Sequence, residues 1–439
     1  MPNLPPYTPV LGALVVASVL YWIWARHLKK RETKAITELE DMASLGEVVP
    51  DTMYPLINPD RCIGSGACIR ACPEKDVIAI VHGQARLVNA LACVGHSACM
   101  RACPVDAIAV VFGSATRGVE LPKIDEHFQT TRAGVYIVGE LGGMGLIRNA
   151  VRQGRQAADH IATTPRRGTA DAYDVAVVGA GPAGISATLR LMEAGLRVLL
   201  LEREAFGGTI MHYPRAKVVM TGALDFALIG TVRRSKMSKE QLVELWQSIQ
   251  HKANLPVKTG VLVEGVAADA DGMWRLETSG GAVRAANVVL GLGRRGSPRK
   301  LEVDGEEQAK VHYRLLEPAE FKGKHVLVVG GGNSAVETAL SLADSNGCAS
   351  VTISYRRNVF ARCRAENRRR IDECIQAGKV RTLMPSEVKR INGSDVVLAA
   401  GSDMVTIPND AVIVQIGGTA PSELLEKFGI EVVTKRGEV

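Results

Sequence analysis

The feature that most constrains the fold is a pattern of strand, glycine turn, helix and strand that occurs twice after residue 170. In the first copy the apolar run Val175–Val178 leads into a G-x-G-x-x-G turn formed by Gly179, Gly181 and Gly184. The second strand of this copy ends at Glu202. Glycines at these positions let the backbone approach a pyrophosphate at a helix N-terminus, and a carboxylate after the second strand can bind a ribose hydroxyl. The pattern predicts an α/β dinucleotide-binding domain.

The second copy differs in the charge that follows its second strand. Its turn is formed by Gly330, Gly332 and Ala335, with alanine at the position of the third glycine. Arginines stand where the first copy has an acid: Arg356, Arg357 and Arg362. An arginine at this point suits a 2′-phosphate, so the sequence predicts NADPH at the second site.

The pair of motifs resembles the flavoprotein reductases of the thioredoxin-reductase type over residues 171–439. The resemblance implies FAD in the first fold and NADPH in the second. The segment "FGGT" is similar to the family's glycine loop over the flavin, which implies a binding role for Gly207, Gly208 and Thr209. The interval "VHYRLLEPAEFKGKH" lacks the redox dithiol that a thioredoxin reductase needs to reduce its substrate. In this respect the chain is more similar to the bacillithiol-disulfide reductases.

The segment at 130–162 indicates a circular permutation. It is similar to the C-terminal segment with which the family closes its FAD site, but here it precedes the first glycine motif. The resemblance implies that Gly139 and Glu140 contribute to the FAD site, with Glu140 in place of the usual aspartate. Chain termini often lie close together in a domain, so such a rearrangement can leave a fold intact.

Six of the nine cysteines lie between residues 62 and 103, in two copies of one frame. The spacing C-x2-C-x2-C-x3-C-P is typical of bacterial iron–sulfur sites. The first copy keeps Cys62, Cys68 and Cys72 but has Ser65 in the second slot. The second copy keeps three cysteines but has a histidine in that slot: Cys93, Cys99, Cys103 and His96. Fixed spacing of this kind favours metal over disulfides.

The duplicated frame resembles the two-cluster bacterial ferredoxins, in which the fourth cysteine of each run serves the other cluster. This resemblance implies one site with Cys62, Cys68, Cys103 and Ser65, and a second with Cys93, Cys99, Cys72 and His96. Several interpretations remain open: serine and histidine ligate [4Fe–4S] clusters, three cysteines hold [3Fe–4S] clusters, or the clusters are lost and the fold is kept. Zinc on three cysteines and a histidine is a further alternative at the second site.

The N-terminal stretch Tyr7–Ala25 is apolar, with aromatic residues at its end and a basic flank directly after it. This order is typical of a single transmembrane helix whose C-terminal side is cytoplasmic. The sequence therefore predicts a protein of the inner (cytoplasmic) membrane with its soluble domains facing the cytoplasm. The alternatives are a cleaved signal peptide and a buried core helix.

The motifs divide the chain into expected segments. These are a transmembrane helix at 7–25, a charged linker helix at 26–50, a two-repeat ferredoxin-type domain at 51–113, a permuted FAD-closing segment at 120–165, an FAD-binding domain at 171–295, an NAD(P)H-binding domain at 296–415 and a C-terminal return segment at 416–439. The expected fold class is α/β, with two Rossmann-like domains preceded by a small α+β ferredoxin-like domain and the membrane helix.

These expectations combine into a membrane-anchored, NAD(P)H-dependent flavoprotein oxidoreductase that passes electrons between NADPH, FAD and iron–sulfur clusters. Its acceptor or donor is unknown, and the pattern requires no catalytic acid, base or nucleophile. The alternatives are a disulfide reductase of the bacillithiol type and a non-enzymatic redox sensor or subunit. The net charge of +7 comes with local basic clusters, so a nucleic-acid partner is not expected. Homodimer assembly is left open.

Overall fold

A computed structural model describes residues 8–44, 50, 53–74, 76–114, 118–143, 145–165, 167–213, 217–234, 236–293, 298–315, 317–345, 347–418 and 422–437. The chain forms two compact units. The smaller contains the described residues up to Pro50 together with Tyr54–Val111, and the larger contains the described part of Phe112–Glu438.

The smaller unit contains short elements and one long helix. Its elements are α1 (Thr8–Ser44), β1 (Tyr54–Ile57), α2 (Ala67–Ala71), β2 (Ile78–Val81), β3 (Gln84–Leu87), a 3-10 helix (Ala90–Ala92), α3 (Ala98–Arg101) and β4 (Ile108–Val111). Strand β1 pairs antiparallel with β4, and β2 pairs antiparallel with β3. Each cysteine repeat thus contributes one short helix followed by one strand, α2 and β2 in the first repeat and α3 and β4 in the second.

Helix α1 continues without a break through the segments that the sequence assigned to a membrane helix and a linker helix. Its C-terminal half packs on the cysteine repeats, where Ala35 contacts Val81 and Val88 in a small apolar core. Glu32 accepts a hydrogen bond from the His82 backbone N–H at 2.7 Å. The charged half of α1 is therefore part of the smaller unit.

The predicted transmembrane helix at 7–25 is not supported. No helix in the described ranges has the length and apolar character that a membrane crossing requires. Tyr7 lies outside the described residues, and the described side chains of the apolar stretch run only from Ala13 to Ala25 before Arg26. The large apolar side chains of this stretch are exposed, at 59% for Leu14 and Trp22.

The larger unit begins with β5 (Val119–Pro122), β6 (Val135–Ile137), a 3-10 helix (Gly139–Gly142), α4 (Ile147–Thr163), β7 (Tyr173–Val178), α5 (Pro182–Glu193), β8 (Val198–Glu202), a 3-10 helix (Gly208–His212), β9 (Val218–Met220), β10 (Ala223–Phe226), β11 (Gly230–Arg233), β12 (Lys236–Ser238), α6 (Lys239–Ala253), β13 (Val257–Thr259), β14 (Val263–Ala268), β15 (Trp274–Thr278) and β16 (Val283–Leu290). It continues with β17 (Val311–His312), a 3-10 helix (Pro318–Phe321), β18 (His325–Val329), α7 (Asn333–Asp344), β19 (Ser350–Ser354), α8 (Ala365–Gln376), β20 (Arg381–Leu383), β21 (Ser386–Ile391), β22 (Asp395–Ala400), β23 (Asp403–Pro408), β24 (Ala411–Val414), α9 (Ser422–Lys427) and β25 (Val432–Lys435).

Two sheets carry the two glycine motifs: the first is mixed, with β14 and β15 antiparallel to their neighbours, and the second is parallel. The first has the order β13-β8-β7-β16-β15-β14, with β6 added beside β16, and the second has the order β17-β24-β18-β19-β20. The strands that precede the glycine turns, β7 and β18, are central and almost fully buried. A continuous apolar run of this kind is what a strand covered on both faces needs. A separate antiparallel sheet, β21-β22-β23, packs its apolar side chains against the second of these sheets.

The segment at 130–162 lies within the first sheet and its helix layer. Strand β6 pairs in parallel with β16, with Ile137 opposite Leu290, and α4 packs on α5 through the buried Ala157 and Ala158. The C-terminal strand β25 pairs antiparallel with β5, so Thr434 lies opposite Glu120. Strand β25 is therefore adjacent to β5, which lies at the start of the segment 120–165 that the sequence predicted to be permuted.

Candidate functional site

The first glycine turn has the geometry of a phosphate cradle. Gly179 has a φ of 101°, which favours glycine, and a Cβ on Gly184 would overlap the Gly179 carbonyl oxygen. A Cβ on Gly181 would meet no atom within 4 Å. Gly184 therefore permits helix α5 to approach the strand closely, while Gly181 leaves open space in front of the helix N-terminus, where a pyrophosphate would be held.

Glu202 lies at the end of β8 and is only 8% exposed. Its carboxylate accepts hydrogen bonds from the backbone N–H groups of Ala180, at 2.7 Å, and Glu204, at 2.9 Å. Glu202 thus fixes the glycine turn and also lines the cavity in front of that turn. The sequence predicted the second role and not the first.

The FGGT loop lies against the same turn. Gly207 donates its N–H to the Ala180 carbonyl at 3.0 Å, and a Cβ on Gly208 would lie 3.0 Å from the Gly181 Cα. Gly208 and Thr209 line the cavity, whereas Gly207 packs against Met211 and Trp246.

Gly139 and Glu140, from the segment at 130–162, line the cavity from the side of β6. The Gly139 N–H donates to the Gln153 side-chain oxygen at 2.8 Å, and Gln153 is 4% exposed. Gln153 was missed in the sequence because it lies one turn inside α4, with no local motif around it.

The second glycine turn has the same construction with an alanine in it. Gly330 and Gly332 line the cavity, and Ala335 is fully buried in α7. The backbone of Gly332 forms a bridge with that of Arg362, so this arginine is fixed beside the turn. Arg356 and Arg362 line the cavity, but Arg357 is not among the residues that line it. Consecutive side chains after a strand point in different directions, so two of the three predicted arginines reach the site.

Both glycine turns face one cavity of about 1850 Å³ in the larger unit. The cavity wall carries a charged cluster of Glu204, His212 and Arg314. The sequence did not indicate it, because Arg314 is 102 positions from His212 in the chain. The Nε2 atom of His212 lies 2.5 Å from Glu204 Oε2, and Arg314 Nη1 lies 3.1 Å from the same oxygen. Arg314 Nη1 is also 2.9 Å from His212 Nδ1.

These contacts determine the protonation of the cluster. Burial alone would raise the pKa of Glu204, but the hydrogen bond and charge of Arg314 outweigh burial and lower the pKa to about 2. Burial, reinforced by the charge of Arg314, lowers the pKa of His212. A neutral imidazole fits the geometry, since Nε2–H can donate to Glu204 while Nδ1 accepts from Arg314. A second ion pair, Lys217 to Glu337 at 3.7 Å, lies in the same cavity wall.

In the smaller unit the cysteines of the two repeats meet crosswise, as the ferredoxin resemblance implied. Cys62, Cys68 and Cys103 line one small cavity together with Ser65. Cys72, Cys93 and Cys99 line another together with His96. Each cavity thus receives two thiols from one repeat and one from the other.

Backbone N–H groups point at the thiols, as they do around iron–sulfur clusters. The Ala85 N–H lies 3.3 Å from Cys62 Sγ, and the Ala107 N–H lies 3.2 Å from Cys103 Sγ. Three thiols and several N–H donors around one small cavity fit the chemistry of a cluster. In the part of the chain that the structure describes, no three His, Cys, Asp or Glu side chains are close enough to hold a single metal ion.

The two fourth-slot residues differ in burial. The side chain of His96 is 9% exposed, and its Nε2 lies 3.8 Å from Glu74 Oε1. Ser65 is exposed, and its Oγ accepts a hydrogen bond from the Ala67 N–H at 3.4 Å. Both residues line their cavities.

A chain with two nucleotide-binding glycine turns on one cavity, and two three-thiol sites in a second unit, is a dinucleotide-dependent redox protein. The family comparison makes this specific: residues 176–438 match the pyridine nucleotide-disulphide oxidoreductase family, and the chain belongs to that family. Residues 54–104 match the 4Fe-4S dicluster domain.

The curated relatives include a ferredoxin–NADP reductase from Ignicoccus hospitalis, which is 30% identical over 275 residues, covering 58% of this chain and 81% of that protein. The bacilliredoxin reductase Bdr from Bacillus subtilis is 26% identical over 266 residues, covering 60% of this chain and 82% of that protein. Among solved structures, bacillithiol disulfide reductase Bdr from Staphylococcus aureus has a TM-score of 0.52 at 22% identity, covering 60% of this chain and 81% of that one, which shows a shared fold.

These findings confirm the predicted resemblance and the enzyme class. The protein is an NAD(P)H-dependent flavoprotein oxidoreductase with an iron–sulfur domain. The cofactors that accompany these matches are FAD, NADPH and iron–sulfur clusters.

Proposed function

We propose that the chain passes electrons between NADPH and a one-electron carrier protein by way of FAD and two iron–sulfur clusters. The observation that carries this proposal is the presence, in one chain, of a cavity with two nucleotide turns and two crosswise three-thiol sites. The name of the Ignicoccus hospitalis relative, ferredoxin–NADP reductase, supports an iron–sulfur carrier as the partner. When bound, the flavin supplies the conversion between hydride and single-electron chemistry, and the clusters supply single-electron transfer.

The chain's own residues bind and orient these groups. Gly181 and the N-terminus of α5 would hold the FAD pyrophosphate. Glu202 would stabilise the turn by accepting the hydrogen bond from the Ala180 N–H. Arg356 and Arg362 would contact the 2′-phosphate of NADPH beside the second turn. The six thiols would ligate iron, and the N–H groups of Ala85 and Ala107 would hydrogen-bond their sulfur atoms.

The experiment is anaerobic analysis of iron, sulfide and flavin in the purified full chain, followed by EPR before and after addition of NADPH. About six to eight irons per chain are expected for two clusters of three or four irons. The EPR signal should change with NADPH. Intact FAD without iron, or iron whose signal ignores NADPH, would refute the electron-relay function.

We propose further that His96 completes a four-iron cluster at the second site, while Ser65 leaves the first site with three protein ligands. The burial of the His96 side chain supports the first part, and the exposure of Ser65 supports the second. His96→Ala should lower iron by about one per chain and produce a [3Fe–4S] EPR signal, because one corner of the cluster loses its ligand. Ser65→Ala, the matched variant, should change neither. Equal effects of the two substitutions would contradict the assignment.

Reduction of a low-molecular-weight disulfide is a second candidate, supported by the match to bacilliredoxin reductase Bdr and by the absence of cysteine in residues 311–325. NADPH oxidation should be measured with bacillithiol disulfide and, separately, with a one-electron dye. Rapid turnover with the disulfide and slow turnover with the dye would favour this candidate over the electron relay.

We also propose a location at the cytoplasmic face of the inner membrane. The exposed apolar side chains between Leu14 and Trp24, followed directly by Arg26, support this location. Sedimentation of the full chain with membranes after carbonate washing would test it, with a variant lacking residues 1–25 as the control. Light scattering of both forms would test the homodimer.

A further inference from the structure

The internal duplication allows the two cluster-binding loops to be compared position by position. In the first loop Ile63, directly after Cys62, is 65% exposed. Its counterpart in the second loop, Val94 after Cys93, is half-buried. Ile63 therefore offers a partner an exposed apolar side chain directly beside the first cluster cavity.

Exposed arginines lie around the first loop, together with the exposed carboxylate of Asp60 directly before Arg61. Arg61, Arg70 and Arg86 are all exposed, and none of them forms an ion pair with a carboxylate in the described residues. In the second repeat the counterpart of Arg61 is Ala92, which packs in the apolar core of this unit. The second loop instead has Glu74 beside His96.

Hydrogen bonds hold two of these arginines, Arg70 and Arg86, around the loop. Arg70 Nη1 donates to the Ser65 carbonyl at 3.2 Å. Arg86 Nη2 donates to Gln84 Oε1 at 3.3 Å, and Gln84 donates to the Pro59 carbonyl at 2.8 Å. Arg70 has an exact structural counterpart in Arg101, whose Nη2 donates to the His96 carbonyl at 3.2 Å.

We propose that the first-loop face, formed by Arg61, Ile63, Arg70 and Arg86, is the docking surface for a small acidic iron–sulfur carrier protein. The inference rests on the proposed electron-relay function and adds the site and the charge of the partner. An exposed apolar centre with a basic rim complements a partner that carries an apolar patch within an acidic rim. For each NADPH oxidised to NADP⁺ and H⁺, two carrier molecules each gain one electron at this face.

The position of the face suits this role. Cys62 lies between Arg61 and Ile63 in the chain, so a partner that covers these side chains comes within a few ångströms of the first cluster site. Basic rim residues raise the association rate with an acidic partner at low ionic strength, and this advantage declines as salt screens the charges.

The test compares charge reversals at matched positions, Arg70→Glu in the first repeat and Arg101→Glu in the second, with Arg61→Glu and Ile63→Asp as additional variants. The probe is a purified acidic [2Fe–2S] ferredoxin, whose reduction by NADPH and the full-length enzyme is measured at low and moderate salt. Dichlorophenolindophenol serves as a small acceptor. The iron content per chain shows that each variant retains its clusters.

Arg61→Glu and Arg70→Glu should each raise the KM for ferredoxin about tenfold at low salt, and Ile63→Asp should raise it at all salt concentrations. Arg101→Glu should stay within about twofold of the unmodified enzyme, and dye reduction should stay unchanged in all four. Arg70→Glu removes a hydrogen bond to the Ser65 carbonyl and can therefore cost iron. In that case Arg61→Glu decides the test, because the Arg61 guanidinium makes no hydrogen bond to the loop in the described residues.

The outcomes separate the two proposals. If the unmodified enzyme reduces ferredoxin and the first-repeat variants match it, or if Arg101→Glu is equally impaired, the docking inference is overturned and the electron relay stands. If iron is present but ferredoxin receives no electrons, the proposed function fails and the docking inference falls with it. Self-association that Arg61→Glu abolishes would assign the face to a second copy of the chain and overturn the proposal.

Discussion

Gly154→Ala tests whether the segment at 130–162 is an integral part of the FAD-binding fold. Gly154 lies in α4 where that helix meets α5, and a Cβ there would overlap the Ala183 carbonyl oxygen. It would also lie 3.0 Å from the Ala183 carbonyl carbon and 3.1 Å from the Ala187 nitrogen. Ordinary contacts need about 3.5–4.0 Å, so the two helices must separate by about 1 Å or more to relieve the overlap with the carbonyl oxygen.

A gap of that size forfeits about half of the dispersion energy of the contacts it opens, and those contacts include the fully buried Ala157 and Ala158. Overpacking of this kind costs about 1–3 kcal/mol. At about 2–4 °C per kcal/mol, a loss of 2 kcal/mol lowers the unfolding midpoint by about 4–8 °C. Because Ala183 also lines the cavity, we expect FAD affinity to fall about tenfold, the effect of one lost hydrogen bond.

The assays are calorimetric unfolding and FAD titration of the flavin-free protein. Gly393→Ala is the matched control, since a Cβ at Gly393 would meet nothing within 4 Å. It should change the free energy of unfolding by less than about 0.5 kcal/mol. If Gly154→Ala behaved like Gly393→Ala, the close helix contact, and the argument that the segment shapes the FAD site, would be refuted.

Two further predictions concern charges in the cavity. Because the folded pKa of Glu204 is about 2, below its usual 4.5, this carboxylate stabilises the fold above pH 4.5 and loses that contribution as pH falls toward 2. Glu204→Gln should therefore reduce the loss of unfolding free energy at acid pH by about 1–2 kcal/mol, after allowance for solvent screening. If the free energy of unfolding depended on pH in the same way in the variant, the ion pair of Glu204 with Arg314 would be contradicted. Arg356→Glu should raise the KM for NADPH about 10- to 100-fold, with little change in the KM for NADH. Arg357→Glu should change neither KM. Steady-state kinetics with both nucleotides measure these values, and an equal effect of the two substitutions would contradict the prediction.

Local patterns in the sequence predicted the glycine turns and the two cysteine frames, because each depends on residues at fixed short spacing. The crosswise grouping of the cysteines came from the resemblance to the two-cluster ferredoxins. Contacts between distant segments were not predictable in this way. Arg314 meets Glu204 and His212 only after the second domain folds against the first. The spacing also gave no means to separate Arg356 from Arg357, since only the direction of each side chain decides which one reaches the cavity.

The predicted membrane helix shows a different limit of prediction from the sequence. Apolar composition and a basic flank predicted a crossing, but they do not determine where a helix ends. Helix α1 continues through Arg26 to Ser44, and its charged half packs on the cysteine repeats. The interactions that extend this helix, such as Glu32 with the His82 N–H, join residues fifty positions apart.

The order of segments in the larger unit leads to a final prediction. The N–H of Gly437 donates to the Phe112 carbonyl at 2.7 Å, and β25 pairs with β5, so the end of this unit is adjacent to its beginning. A rearranged chain that runs from residue 167 to 437, then through a short glycine-serine linker to 118–165, should keep these pairings. It should bind FAD with an affinity within about threefold of that of the full chain, because the short linker adds little closure entropy. It should contain no iron, because it lacks all six of the candidate cysteine ligands. Failure to bind FAD in a folded rearranged chain would show that the order of segments itself shapes the site, and that the likeness to a permuted reductase is superficial.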